Sequence, residues 1–204
     1  GAVAFESVFP PEFIKALRDV FDERYNRYYR EDLYEDALPV GNRRMMLTIE
    51  ISGVFNDAQL FCNSLIFPVL RAALGDDLVM SGFGGVISLP GAKAQHLHRD
   101  HSTLFGDLDF RAHLPCFAIT VAIPLIDMDI MTGTTRLCLG GHRKPNEAIG
   151  DMTVVDPVVP AGSLLMWDYL LPHAGTPNCS DLIRPLLYFT YSRAWFRDAK
   201  NYGR

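Results

Sequence analysis

The chain has 204 residues, 49% apolar and 21% charged, with a formal charge of −5. That is enough chain to bury a sizeable core, while its longest apolar runs, such as Cys116 to Ile126, are far too short to span a bilayer. The acidic balance argues against a nucleic-acid partner, which needs clustered Lys and Arg beyond the small basic spots at Arg43, Arg44 and Arg136 to Lys144.

No repeat, low-complexity tract or linker divides the sequence, so a single domain over 1–204 is expected, with 1–77 mostly helical and 78–204 rich in strands. The apolar stretch after Gly1 is broken at Glu6, so no secretory leader is expected. After Pro10 and Pro11, apolar residues recur at Phe13, Leu17, Val20, Phe21 and Tyr25, the period of a helix. Arg44 to Ile51 alternates as a strand does. Asn56 and Asp57 offer a cap for a second helix from Ala58 to Leu74, which Pro68 kinks or splits and Gly75 ends.

From residue 78 the texture changes to short β-rich runs: Val79 to Leu89, Cys116 to Pro124, Arg136 to Leu139, Met152 to Val155, Ser163 to Trp167 and Pro185 to Arg193. Turn residues separate them. Many short strands at this spacing predict a sandwich or barrel, and helices followed by strands predict a jelly roll with helices packed on one sheet. The four cysteines (Cys62, Cys116, Cys138 and Cys179) form no CxxC, which points to reduced thiols in a cytoplasm.

Three of the six histidines and one aspartate fall within Q-H-L-H-R-D-H, residues 95–101. In a strand, residues two apart share a face, so His98 and Asp100 would project together with Arg99 turned away. An imidazole beside a carboxylate can hold a divalent metal on one side, and a third ligand must come from elsewhere. Two histidines and one carboxylate on one face make the facial triad of non-heme Fe(II) oxygenases. His173, in L-L-P-H-A-G after an apolar strand, is the best third ligand; His96 shares a face with His98 and competes for the place. HxD tripeptides also arise by chance, and a lone strand histidine is more often a satisfied core residue.

Arg184 adds weight. It stands just before the apolar run P-L-L-Y-F-T-Y, where a buried guanidinium is costly unless an anion pairs with it. Its planar fork suits a carboxylate, either an internal Asp or Glu or one end of a dicarboxylate ligand.

Four motifs then occur in order. Q-H-L-H-R-D fits Q-x-x-H-x-D. T-G-T-T-R-L-C-L-G-G-H is similar to N-G-x-T-x-x-x-P-G-S-H. G-S-L-L-M-W-D-Y-L-L-P-H-A-G carries the distal histidine, and N-C-S-D-L-I-R-P supplies the arginine. Together they resemble the phytanoyl-CoA dioxygenase-like family of Fe(II)/2-oxoglutarate oxygenases, over about Gly82 to Trp195. The resemblance implies a double-stranded β-helix, with His98, Asp100 and His173 as iron ligands and catalytic centre. It makes Arg184 the grip on the distal carboxylate of 2-oxoglutarate, with Gln95 and Thr135 as further cosubstrate contacts. Thr132 replaces the family's Asn, and Leu139 and Gly141 replace its Pro and Ser, so the loop around Thr135 departs from the pattern; His142 matches a structural position.

The implied reaction consumes 2-oxoglutarate and O₂, releases succinate and CO₂, and oxidises a C–H bond of a small molecule. Halogenases of this class lack the carboxylate ligand, so Asp100 favours hydroxylation or a related oxidation. Thr190 stands where nucleic-acid demethylases of the wider superfamily carry a second arginine. Arg43, Arg99, Phe105 and Trp195 are candidate substrate contacts, and the loop from His101 to Pro115, with Phe110 and Arg111, is expected to border the pocket. No membrane partner is expected, and oligomeric state is not legible. A cupin-like metal-binding jelly roll using His96, His98 and His173 is the alternative, and a degenerate jelly roll with Arg184 paired internally is a third reading.

Overall fold

The computed structural model describes residues 1–32, 34–105, 113–144 and 152–199. A seven-stranded antiparallel sheet forms its frame. In chain order its strands are β1 (Ala2–Phe5), β2 (Ala37–Gly41), β3 (Arg44–Thr48), β4 (Val79–Ser88), β5 (Ala118–Pro124), β8 (Leu164–Asp168) and β10 (Arg184–Ser192), arranged spatially as β1-β8-β5-β10-β4-β3-β2. A smaller sheet orders β7 (Val154–Val155), β6 (Thr135–Cys138) and β9 (His173–Gly175). Residues 95–98 extend it beyond β9. Gln95 N–H donates to the Gly175 carbonyl (2.9 Å), and His98 and His173 exchange backbone bonds (2.9 and 2.8 Å). Two sheets sharing an apolar interior give the expected jelly roll.

Strand parity assigns the two faces of the large sheet. Ile119, Val121 and Ile123 of β5 and Leu187, Phe189 and Tyr191 of β10 join the helix-side core. That core includes Leu17 and Phe21 of α1 (Pro11–Tyr25) and Leu70 and Leu74 of α3 (Phe67–Leu74). On the opposite face Ala122, Leu165 and Leu186 meet Leu137 of the small sheet. β5 is therefore buried along its whole length, which is why its sequence reads as an unbroken apolar run.

The helix expected over 58–74 is two helices, α2 (Ala58–Phe61) and α3. Asp57 caps α2 by accepting the Gln59 N–H (2.8 Å). Pro68 lies in the first turn of α3, where no backbone donor is needed. The expectation of a mostly helical 1–77 omits β1 and β2, while β3 falls within the strand expected over Arg44 to Ile51. β1 and β2 are short edge strands, and β2 carries Pro39, which an edge tolerates and periodicity does not reveal.

Candidate active site

His98 and Asp100 do not belong to a regular strand. The ladder with β9 stops at the His98 bridge, and Asp100 follows in a bend. Even so, one donor atom each from His98, Asp100 and His173 lies within 4.8 Å of the others, close enough for one divalent ion to draw them in. Among the described residues this is the one such group of His, Cys, Asp and Glu. His96 is exposed and outside it, which removes the ligand set of the cupin-like alternative.

The imidazoles are oriented by their backbone partners. His98 Nδ1 is 3.0 Å from the His96 carbonyl, and His173 Nδ1 is 3.0 Å from the Leu171 carbonyl. With Nδ1–H donating to a carbonyl, each ring turns Nε2 inward with its lone pair available. His173 Nε2 is 3.4 Å from Asp100 Oδ1. Burial works against the Asp100 carboxylate, but the neighbouring His173 and the Thr120 hydroxyl outweigh it and hold the carboxyl below its usual range. Burial likewise opposes charge on His173, and Asp100 reverses the balance and raises it. His98 is lowered by burial and by the like charge of His173.

The three residues open into a cavity of about 340 Å³ whose wall also includes Gln95, Thr120, Thr135, Trp167, Arg44 and Arg184. Arg44 and Arg184 are 3% and 2% exposed. They stand in one row across the sheet, since Ser88 of β4 pairs with both Arg44 of β3 and Arg184 of β10. Arg44 donates to Ser88 Oγ (3.2 Å) and to the Thr176 carbonyl (2.7 Å). Nε and Nη1 of both arginines have no hydrogen-bond partner. Burial, followed by the charge of Arg44, pushes Arg184 down to about 9; burial pushes Arg44 down to about 10. Two buried cations with orphaned donors, and no carboxylate against them among the described residues, are what an anionic ligand would satisfy. The reading in which Arg184 pairs with an internal acid loses its basis.

Gln95 lines the cavity, but its amide bridges two strands: Oε1 accepts from Gly175 N–H (2.8 Å) and Nε2 donates to the Val40 carbonyl. Arg99 lines the cavity, while its guanidinium donates to the carbonyls of Gly141 (2.9 Å), Lys144 (2.9 Å) and Leu170. Arg43 is not at the cavity. It sits in the β2–β3 turn with φ 52° and pairs with Glu31, so parity hands the inward place to Arg44. Phe105 and Trp195 are 61% and 60% exposed and lie outside the cavity wall; Trp195 packs edge-on against Phe196. Phe110 and Arg111 lie outside the described residues.

Sequence reasoning missed Arg44, Thr120 and Trp167. For Arg44 the signal existed in R-R-M-M-L-T: if Met45 and Leu47 face the helices, Arg44 must face the other way. Nothing in the sequence told which face carried the cavity.

Fold and site define a class: a jelly roll whose His-Asp-His group opens onto a cationic cavity. The sequence model of the phytanoyl-CoA dioxygenase family matches residues 1–186, a span containing all three of these residues and both arginines. The chain belongs to that family and is a non-heme Fe(II)/2-oxoglutarate-dependent oxygenase. Similar solved structures include AviO1 from Streptomyces viridochromogenes Tue57, at 19% identity and TM-score 0.75, covering 97% of this chain and 91% of that one. HygX from Streptomyces hygroscopicus with nickel and 2-oxoglutarate bound matches at 19% identity and TM-score 0.72, covering 97% and 85%. The non-heme alpha ketoglutarate dependent epimerase SnoN from nogalamycin biosynthesis matches at 16% identity and TM-score 0.66, covering 95% and 78%. At these identities the likeness establishes the shared fold. No helix among the described residues is long and apolar enough to cross a membrane.

Proposed function

We propose that this chain oxidises a C–H bond of a small-molecule metabolite, most directly by hydroxylation, with His98, Asp100 and His173 holding Fe(II) and Arg184 and Arg44 gripping the distal carboxylate of 2-oxoglutarate. The observation that carries the reading is the pair of buried guanidiniums, each with Nε and Nη1 lacking a partner, in the same cavity as the His-Asp-His group. The donor set fits the metal: two neutral imidazole nitrogens and one carboxylate suit iron and leave coordination positions open. When bound, iron with 2-oxoglutarate and O₂ supplies an oxidant able to take hydrogen from an unactivated C–H bond, releasing succinate and CO₂.

The chain's own residues do the rest. His96 and Leu171 fix the imidazole tautomers through their carbonyls. Arg184 keeps Nε and Nη1 free of protein partners, so these donors are available to an anionic ligand. Arg44 brings a second cation to the same end, and Gly175 makes room for it, because a Cβ there would run into Arg44 Nη1. Thr135, buried at the start of β6, offers a hydroxyl on the opposite wall. Leu186 and Val86 add apolar surface that limits water near the keto acid.

HygX is also seen with hygromycin B, and SnoN is an epimerase, so neighbours of this fold act on or bind natural products with more than one outcome. Mass spectrometry of products from a metabolite panel with Fe(II), 2-oxoglutarate and O₂ tests the reaction. A gain of one oxygen atom, one succinate per product, supports hydroxylation. An isobaric product identifies stereochemical inversion instead, and substrate-dependent turnover without succinate refutes the reading.

A further inference from the structure

The segment that delivers Asp100 is irregular. Its backbone ladder ends at His98, and Asp100 follows in a bend. The carboxylate is instead held by the large sheet. Thr120 Oγ1 donates to Asp100 Oδ2 at 2.7 Å, and Trp167 Nε1 donates to the same oxygen at 3.3 Å. These two donors are cross-strand partners, because Thr120 of β5 pairs directly with Trp167 of β8. Directly opposed residues in an antiparallel pair project side by side on one face. Both are buried. The other oxygen, Oδ1, is the one that faces His173 Nε2.

We propose that Thr120 and Trp167 are positioning residues that clamp Oδ2 and so confine Asp100 to binding metal through Oδ1 alone. The inference rests on the Fe(II)/2-oxoglutarate reading and deepens it. Its consequence follows from counting. Two imidazoles and a carboxylate bound through both oxygens would fill four of six octahedral positions, and a 2-oxoacid chelate would take the last two. With one oxygen withheld, the protein would supply three ligand atoms and a 2-oxoacid chelate two, so room would be left for O₂. By occupying Oδ2, the hydroxyl and indole would keep that room open. The register of β5 against β8 sets this geometry, so the rigid sheet, not the irregular segment, fixes the ligand.

The test uses the full chain stripped of metal, with Thr120→Val, Thr120→Ser and Trp167→Phe variants. Nickel affinity is measured by calorimetry, and nitric oxide binding to the anaerobic Fe(II)/2-oxoglutarate complex by paramagnetic resonance. Valine keeps the shape and loses the donor; serine keeps the donor and loses a methyl. The clamp predicts that valine weakens nickel binding about 10- to 100-fold and weakens nitric oxide binding, while serine stays within about threefold of wild type. Trp167→Phe should cost less, as its bond is longer. Valine and serine behaving alike, or valine matching wild type in both measurements, would overturn the proposal. If Thr120→Val does not fold, Thr120→Ser and Trp167→Phe decide: a serine loss equal to or larger than the phenylalanine loss overturns it. A folded wild-type chain that binds neither nickel nor 2-oxoglutarate overturns the functional reading itself, and the clamp with it.

Discussion

Replacing Arg184 by Met should move stability and ligand affinity in opposite directions. In the ligand-free protein Arg184 is 2% exposed, two of its nitrogens lack partners, and Arg44 presents a like charge. Exchanging buried charged groups for apolar ones of similar volume is often stabilising by about 1–4 kcal/mol. For a chain of this length each kcal/mol raises the midpoint by about 2–4 °C. Losing one partner of a buried charge pair costs about 2–5 kcal/mol, which is roughly 30-fold or more in 2-oxoglutarate affinity. Thermal melting of the ligand-free variant and calorimetric titration of its nickel form with 2-oxoglutarate check both halves. A variant that melts lower than wild type and binds 2-oxoglutarate normally would refute the reasoning, since the guanidinium would then be serving the fold and not a ligand.

The same burial gives a pH dependence. A base whose pKa falls to about 9 on folding holds fewer protons folded than unfolded from there up to the ordinary arginine range, so ligand-free wild type should gain stability relative to Arg184→Met as pH rises above about 9; parallel melting curves of the two would contradict this. Gly175→Ala places a Cβ against Arg44 Nη1 and Gln95 Oε1 and should raise the KM for 2-oxoglutarate by about tenfold or more, read from succinate release at varied cosubstrate. Trp195→Ala should leave nickel and 2-oxoglutarate binding unchanged, because the ring lies outside the cavity. Asp100→Ala should abolish substrate-coupled succinate release while the chain still melts cooperatively, as measured by turnover alongside circular dichroism.

The jelly roll was legible because strands buried on one face alternate and those buried on both, such as β5, read as unbroken apolar runs. The edge strands β1 and β2 were not, since four or five residues with one partner carry too little pattern. The His-Asp-His group was found for a reason only partly right. Strand parity placed His98 and Asp100 together, yet Asp100 lies past the end of the ladder, and it is Thr120 and Trp167 that fix its carboxylate. Arg184 was visible because a cation before an apolar strand is conspicuous. Arg44 was not, because choosing it over Arg43 requires knowing which face of β3 the helices cover. The apolar and aromatic candidates failed similarly: Phe105 and Trp195 look like pocket residues in sequence, but exposure is a property of the fold.

The central claim is that one ferrous ion and one 2-oxoglutarate share the cavity between the His-Asp-His group and the two arginines. Anaerobic titration of the metal-free protein with Fe(II) and then 2-oxoglutarate tests it most directly, followed by visible absorption in wild type and in Asp100→Ala and Arg184→Met. A weak charge-transfer band that saturates at one equivalent of each in wild type, and needs far more 2-oxoglutarate in Arg184→Met, is the predicted result. A well-folded wild-type protein showing no band, or a band indifferent to Arg184, would contradict the account.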